Sequence, residues 1–199
     1  SAGGFEAVVF ASTFMLVCLF SARYAARASL ENSRLSAQAY SDPLTGVRNR
    51  RQFDEDVALW VAGFEKIPDR PLTLTMIDID HFKNINDSCG HAVGDLFLRR
   101  LTSHIESALG LSCQLYRFGG EEFIVLSRFS GAETALRMEG LRKDIAATRL
   151  VRETERPVTL SMGVAQLRPG EEAAAWLARA DEAMFASKNR GRNQVTLAA

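Results

Sequence analysis

The sequence predicts an α/β layer domain preceded by a long N-terminal helix. Strand-like and helix-like hydrophobic periods alternate from residue 50 to residue 187. One of the strands, residues 72–79, is apolar on both faces, as expected for the centre of a sheet. Ahead of this alternation, residues 7–22 carry no charge and are dense in Val, Phe, Leu and Met.

As a helix rising about 1.5 Å per residue, the run 7–22 spans roughly 24 Å, short of a ~30 Å hydrocarbon core, and Gly3, Gly4 and Phe5 extend it. No basic side chain precedes it, while Arg23, Arg27 and Arg34 follow it. This is the polarity of a membrane span with its C-terminal side in the cytoplasm, not of a cleavable signal peptide. Residues 1–22 are therefore expected to be a transmembrane helix at the end of a longer membrane region, with a buried or dimer-forming helix as the plainer alternative. Residues 23–41 are rich in Ala, Leu, Arg, Glu and Ser, without Gly or Pro, and predict a linker helix able to pair with a copy of itself. Asp42-Pro43 ends it, because the residue before proline is pushed out of the helical region.

Residues 42–199 form the expected domain. Phe53, Val57, Trp60, Val61 and Phe64 have helical spacing, which predicts a helix over 50–64 and a loop over 68–71. Helices are expected at 94–109, from Leu96, Leu98, Leu101 and Ile105, at 132–147 and at 171–187. Residues 114–118 and 123–126 read as two strands joined around Gly119-Gly120, a hairpin, and 158–165 as a further strand.

With 199 residues, 47% of them apolar and 24% charged, disordered, collagenous and purely coiled-coil classes are excluded. Lys and Arg number 24, as do Asp and Glu, so a whole-protein electrostatic grip on a nucleic acid polymer is disfavoured. Cys18, Cys89 and Cys113 are odd in number and widely spaced, which fits buried or half-buried thiols better than a disulfide framework or a zinc site. His81, His91 and His104 show no paired metal-ligand spacing. Metal chemistry would therefore rest on carboxylates.

Asp78 and Asp80 close the central strand on one face, with Cα atoms about 6.6 Å apart. Burial of two unpaired carboxylates is costly and a divalent cation relieves it; a solvated strand end is the plainer alternative. Beyond them, Gly119-Gly120 permits a tight turn, and Glu121 and Glu122 alternate faces, so only one of the two can share a face with Asp78. A hairpin acid beside a strand acid suits a cation on a phosphate.

GGEEF at 119–123 resembles the signature of the GGDEF, or diguanylate cyclase, family. The likeness extends from residue 42 to residue 193, through DPLTGVRNRR at 42–51, DIDHFK at 78–83, NDSCGHAVGD at 86–95, SMGVA at 161–165 and ADEAMFASKNRGRN at 180–193. It implies a fold like the adenylate cyclase and polymerase palm, a central mixed sheet flanked by helices. It also implies condensation of two GTP into cyclic di-GMP with release of two pyrophosphates, by a homodimer in which each domain brings one nucleotide. Asp78, the Ile79 carbonyl and Glu121 would hold Mg²⁺, with Mn²⁺ as an alternative ion, and Glu122 would assist catalysis at a second metal. Glu121 would also help deprotonate the attacking 3′-hydroxyl. Lys83 would offset charge on the phosphates, cradled by main-chain N–H groups around Phe82. Asn86 and Asp95 would read guanine, whose N1–H and 2-amino groups donate to a carboxylate; His91 would brace that pocket. Lys188 and Arg192 would grip the terminal phosphates. Such a protein would lie in the bacterial inner membrane with its catalytic domain in the cytoplasm.

The family's inhibitory product site begins nine residues before the double glycine with Arg-x-x-Asp, and Gly110-Leu111-Ser112-Cys113 stands there instead. No product inhibition through that site is expected. A catalytically idle GTP-sensing module and a palm-type nucleotidyl transferase are the competing readings; the motif set disfavours both. No P-loop motif is present.

Overall fold

The computed structural model describes residues 15, 19–25, 27, 39–66, 70–154 and 157–199. The chain divides into two units, Ser1–Ala39 and Tyr40–Ala199. In the first, residues 19–25 are helical, with Leu19, Phe20 and Tyr24 exposed. Most of the expected membrane span 1–22 and most of the linker helix 23–41 lie outside the described residues. Among the described residues, no helix is long and apolar enough to cross a membrane.

The second unit is a six-stranded mixed sheet in the order β1-β3-β4-β2-β5-β6. In chain order its elements are β1 (Arg48–Asn49), α1 (Arg50–Lys66), β2 (Thr73–Ile79), α2 (Phe82–Cys89), α3 (His91–Leu109), β3 (Cys113–Arg117), β4 (Glu122–Ser127), α4 (Gly131–Ala147), β5 (Leu160–Gln166), α5 (Ala173–Asn189) and β6 (Gln194–Leu197). β2 is antiparallel to both β4 and β5, while β1 runs parallel to β3 and β6 parallel to β5. All seven residues of β2 are buried, as the two-faced apolar pattern requires.

Strand alternation divides the core in two. Ile77, Ile79, Phe123 and Val125 pack under α2, α3 and α4 with Phe97, Leu101, Ile105 and Met138. Leu74, Met76, Ile124 and Leu126 face the other way, under α1 and α5, with Phe53, Trp176 and Met184. Trp176 is fully buried and its indole N–H donates to the Ala165 carbonyl at 2.7 Å, so α5 is bonded to β5 as well as packed on it. Truncating one such large side chain to alanine costs about 3–5 kcal/mol.

Three local features differ from the sequence expectation. α3 starts at His91, three residues early, and a separate helix, α2, precedes it; Gly90, at φ 85, breaks the two apart. α2 has only two buried residues, Phe82 and Ile85, too few for a period to be visible. The edge strands β1 and β6, two and four residues long, are likewise below the length at which alternation can be read.

Candidate active site

β2 ends among unlike charges. By strand alternation Asp78 points to the α5 side, where its Oδ2 meets Lys188 Nζ at 2.7 Å. The pairing depends on how closely α5 lies on β5. Gly163, the register partner of Met76, leaves no room for a Cβ, which would stand 2.1 Å from the Ala180 carbonyl oxygen and 2.2 Å from Met184 N. One turn on, the Ser187 hydroxyl donates to the Met162 carbonyl at 2.8 Å, and Lys188 follows it at the strand end.

The double-glycine turn is braced on three sides. The N–H groups of Phe118 and Gly119 donate to the Glu122 carbonyl at 2.8 and 3.2 Å, and Ile79 N–H donates to the Glu121 carbonyl at 3.3 Å. Arg117 reaches back over the turn, donating from Nε to the Gly119 carbonyl at 3.2 Å and from Nη2 to the Gly120 carbonyl at 2.7 Å. Its Nη1 donates to Asp42 Oδ1 at 2.8 Å, and the same oxygen accepts from the Thr45 N–H at 2.8 Å and hydroxyl at 2.6 Å. Burial raises the Asp42 carboxyl, but these bonds from Thr45 and Arg117 outweigh it and hold the group below its ordinary range. Glu122 Oε2 lies 2.6 Å from where a Cβ on Gly119 would be, so a side chain there would displace the Glu122 carboxylate.

Glu122 is the register partner of Asp78, so the strand acid on the shared face is the second of the pair. Glu121, in the turn before β4, is free of strand alternation and is nonetheless close enough to feel Asp78. Burial pushes its carboxyl up, the charges of Asp78 and Glu122 push it further, and Lys188 opposes them. Asp78 is also raised, by burial first; Lys188 and Arg192 offset part of this and the charge of Asp80 adds to it. Asp78, Glu121, Glu122, Lys188 and Arg192 thus form one electrostatic cluster.

The expectation that Asp80 forms half of a cation-seeking pair is corrected. Asp80 lies one residue past β2, is buried, and is saturated by hydrogen bonds: from the Ser161 hydroxyl on Oδ1 at 2.6 Å, and from the Thr159 hydroxyl and the Asn193 N–H on Oδ2 at 2.6 and 3.0 Å. Donors of the protein itself satisfy it.

The chain then turns sharply through His81, whose φ of 59 and ψ of 30 lie in the left-handed region, and starts α2 at Phe82. The first amides of a helix have no intrahelical acceptor and favour an anion, and Lys83, exposed, sits in that first turn. Phe82 is buried against Phe97, with ring centroids 6.3 Å apart, and anchors the turn. Asn86 is half-buried with its amide lying against α3 at Gly94, where a Cβ would come within 2.0 Å of Asn86 Oδ1. Asp95, the next residue of α3, is exposed on the same first turns as His91, also exposed.

The structure therefore collects Asp78, Glu121 and Glu122 with Lys188 and Arg192 at the end of β2, and sets the Asn86 amide against Gly94, the residue before Asp95, on the helix pair that follows. Sequence reasoning missed Asp42, Arg117 and Gly163 as supports of the site. The signal for Arg117 was its place two residues before the double glycine; nothing local marks Asp42, 75 residues away from it.

A divalent cation fits this site. Asp78 and Glu121 are both pushed towards protonation, each by burial first and Glu121 next by the charge of Asp78, and a lysine ammonium is already drawn to Asp78. The donors are all oxygen, which suits Mg²⁺ or Mn²⁺. Among the described residues no three His, Cys, Asp or Glu side chains form a metal cage. The remaining positions would fall to carbonyls, water and phosphate, as is usual for Mg²⁺.

A family model described as diguanylate cyclase, GGDEF domain, matches residues 39–194. The chain is 33% identical over 180 residues to the diguanylate cyclase VdcA of Vibrio cholerae, covering 84% of this chain and 52% of that protein. Diguanylate cyclase A of Treponema denticola is 34% identical over 174 residues, 85% of this chain and 47% of its own length. The chain thus spans about half the length of these curated relatives. Among solved structures, the coiled coil and GGDEF domain of DgcB from Caulobacter crescentus in complex with c-di-GMP superposes with a TM-score of 0.83 at 32% identity, covering 89% of this chain and 95% of that one. The active GGEEF domain of a diguanylate cyclase from Vibrio cholerae superposes with a TM-score of 0.71 at 30% identity, covering 76% and 97%.

Proposed function

The chain belongs to the GGDEF diguanylate cyclase family, and from that membership we propose that it condenses two GTP into cyclic di-GMP and two pyrophosphates as a homodimer. One observation carries the reading: Asp78 at the end of β2 and Glu121 in the turn before β4 lie close enough to interact, beside the ammonium of Lys188.

In each of two steps the 3′-oxygen of one GTP attacks the α-phosphorus of the other, the bond to the β-phosphate oxygen breaks, and pyrophosphate leaves. Asp78, the Ile79 carbonyl, Glu121 and Glu122 would hold Mg²⁺ or Mn²⁺, which when bound offsets phosphate charge and lowers the pKa of the attacking hydroxyl. Glu121 is suited to accept the proton at its carboxylate, because burial and Asp78 make it more basic than an ordinary glutamate. Lys188 and Arg192 bind the β- and γ-phosphates, and Lys83 with the first amides of α2 neutralises charge that grows in the transition state. Asn86 and Asp95 select guanine, with Asp95 accepting from N1–H and the 2-amino group and His91 beside them. Two nucleotides must face each other, so two domains are needed.

Residues 1–22 would anchor the protein in the bacterial inner membrane with residues 42–199 in the cytoplasm. At the place of the family's product site, Gly110 opens the 3₁₀ turn Gly110–Ser112 and Cys113 opens β3; neither supplies a guanidinium or a carboxylate. Product inhibition through that site is not expected.

Incubation of the purified protein with GTP and Mg²⁺, with products identified by mass, tests this. Cyclic di-GMP from the wild type and a loss of about 10²-fold or more in Glu121→Gln are expected. GTP binding without turnover would favour the idle sensing module instead.

A further inference from the structure

Asp80 has no role in the mechanism above, yet it is a buried carboxylate at the end of the strand that carries Asp78. We propose that Asp80 is a positioning residue for the triphosphate grip: through the Asn193 N–H it fixes the loop that presents Arg192. The inference rests on the reading that Arg192 binds phosphate.

The loop after α5 needs such an anchor. Gly191, Arg192 and Asn193 have φ of 109, 64 and 47, three successive residues in the left-handed region of which two have side chains. Backbone in this region holds only where surrounding structure over-determines it. Five bonds do so here. Gly191 N–H donates to the Lys188 carbonyl at 3.4 Å, Arg192 N–H donates to the Ser187 carbonyl at 3.0 Å, and Gln194 Nε2 donates to the Arg192 carbonyl at 3.2 Å. Asn193 Oδ1 accepts from Arg142 Nη1 at 2.6 Å, and Asn193 N–H donates to Asp80 Oδ2 at 3.0 Å. Of these, the last reaches Asp80, the residue that follows β2. Thr159 and Ser161 hold the carboxylate from the β5 side, and the Asp80 N–H donates to the Thr159 carbonyl at 2.9 Å, so the anchor does not turn freely. Arg192 is thereby placed within electrostatic reach of Asp78 while its side chain stays exposed for a ligand.

The test is a mutant cycle with two readouts. GTP binding is measured by calorimetry for the wild type, Asp80→Ala, Arg192→Ala and the double variant. Each single change is expected to weaken binding about tenfold, and the double variant to be no weaker than either, because both remove one contact. Asp80→Asn, which keeps the side-chain size and one acceptor oxygen, is expected to recover most of the loss. If the protein turns over GTP, KM rises with kcat less affected. The second readout is limited trypsin digestion without nucleotide, where Asp80→Ala is expected to speed cleavage after Arg190 and Arg192 and Asp80→Asn to leave it slow. Multiplicative losses of about a hundredfold in the double variant, or tryptic rates unchanged by Asp80→Ala, overturn the proposal. The digestion needs no GTP, so it decides the role of Asp80 even if the wild type binds none, a result that would instead sink the cyclase reading.

Discussion

At the scale of single residues the site works against the stability of its own fold. Asp78 and Glu121 are both raised, chiefly by burial and, for Glu121, next by the charge of Asp78. The native state therefore holds protons that the unfolded chain has already released. Stability falls as pH rises from the ordinary carboxylate range through the raised values, and the loss is complete above them. Asp78→Asn removes the ionising group, so it is expected to raise the melting temperature by a few degrees at neutral pH and by much less at the acid end of the ordinary carboxylate range, while abolishing metal-dependent GTP turnover. Thermal melts at the two pH values check the sign; a gain larger in acid contradicts it. Asp42 behaves in the opposite way, since its lowered carboxyl contributes stability that is lost only as pH falls below the ordinary range. Asp78 and the acids after the double glycine stood out by residue type and spacing, whereas Lys188 entered only through the likeness to the GGDEF family. The saturation of Asp80 was not legible, because its donors Thr159, Ser161 and Asn193 are 79 or more positions away.

At the scale of elements, two glycines show how helices are set against the sheet. Gly94 lies where a Cβ would meet the side-chain amide of Asn86 at 2.0 Å and the tip of Phe82 at 3.3 Å. Gly163 lies where a Cβ would meet the backbone of α5, which has no such freedom to move. Gly94→Ala is expected to leave the protein folded, with a melting temperature a few degrees lower, and to weaken GTP binding about tenfold by displacing Asn86. Gly163→Ala is expected to cost about 4 kcal/mol or more and to yield little folded protein, because α5 must lift and draw Lys188 away from Asp78. Circular dichroism melts and calorimetry on the two variants separate the cases. The long elements, α1, α3, α4, α5 and β2, were legible because each buries a face of several turns or seven consecutive residues. α2, β1 and β6 were not, since short elements are held by neighbours and not by their own period.

For the whole molecule, the proposed reaction needs two nucleotides brought by two domains, which would make turnover a property of the dimer. The rate per protein molecule is expected to rise in proportion to protein concentration when dilute and to level off once dimers dominate, in step with the mass measured by sedimentation. A specific rate independent of concentration, in a species that sediments as a monomer, would contradict the two-domain mechanism. The sequence by itself determined the layer architecture and the central position of β2, because burial periods are local properties of the chain, and its motifs marked the candidate site through their likeness to the GGDEF family. Only the tertiary structure decided which groups meet. Lys188 reaches Asp78 because Gly163 lets α5 rest on β5, and Arg117 braces the double-glycine turn because Asp42 holds it from the start of the domain. Those contacts join positions 110 and 75 residues apart, and no local pattern encodes them, since they arise only when packing brings distant segments within bonding distance.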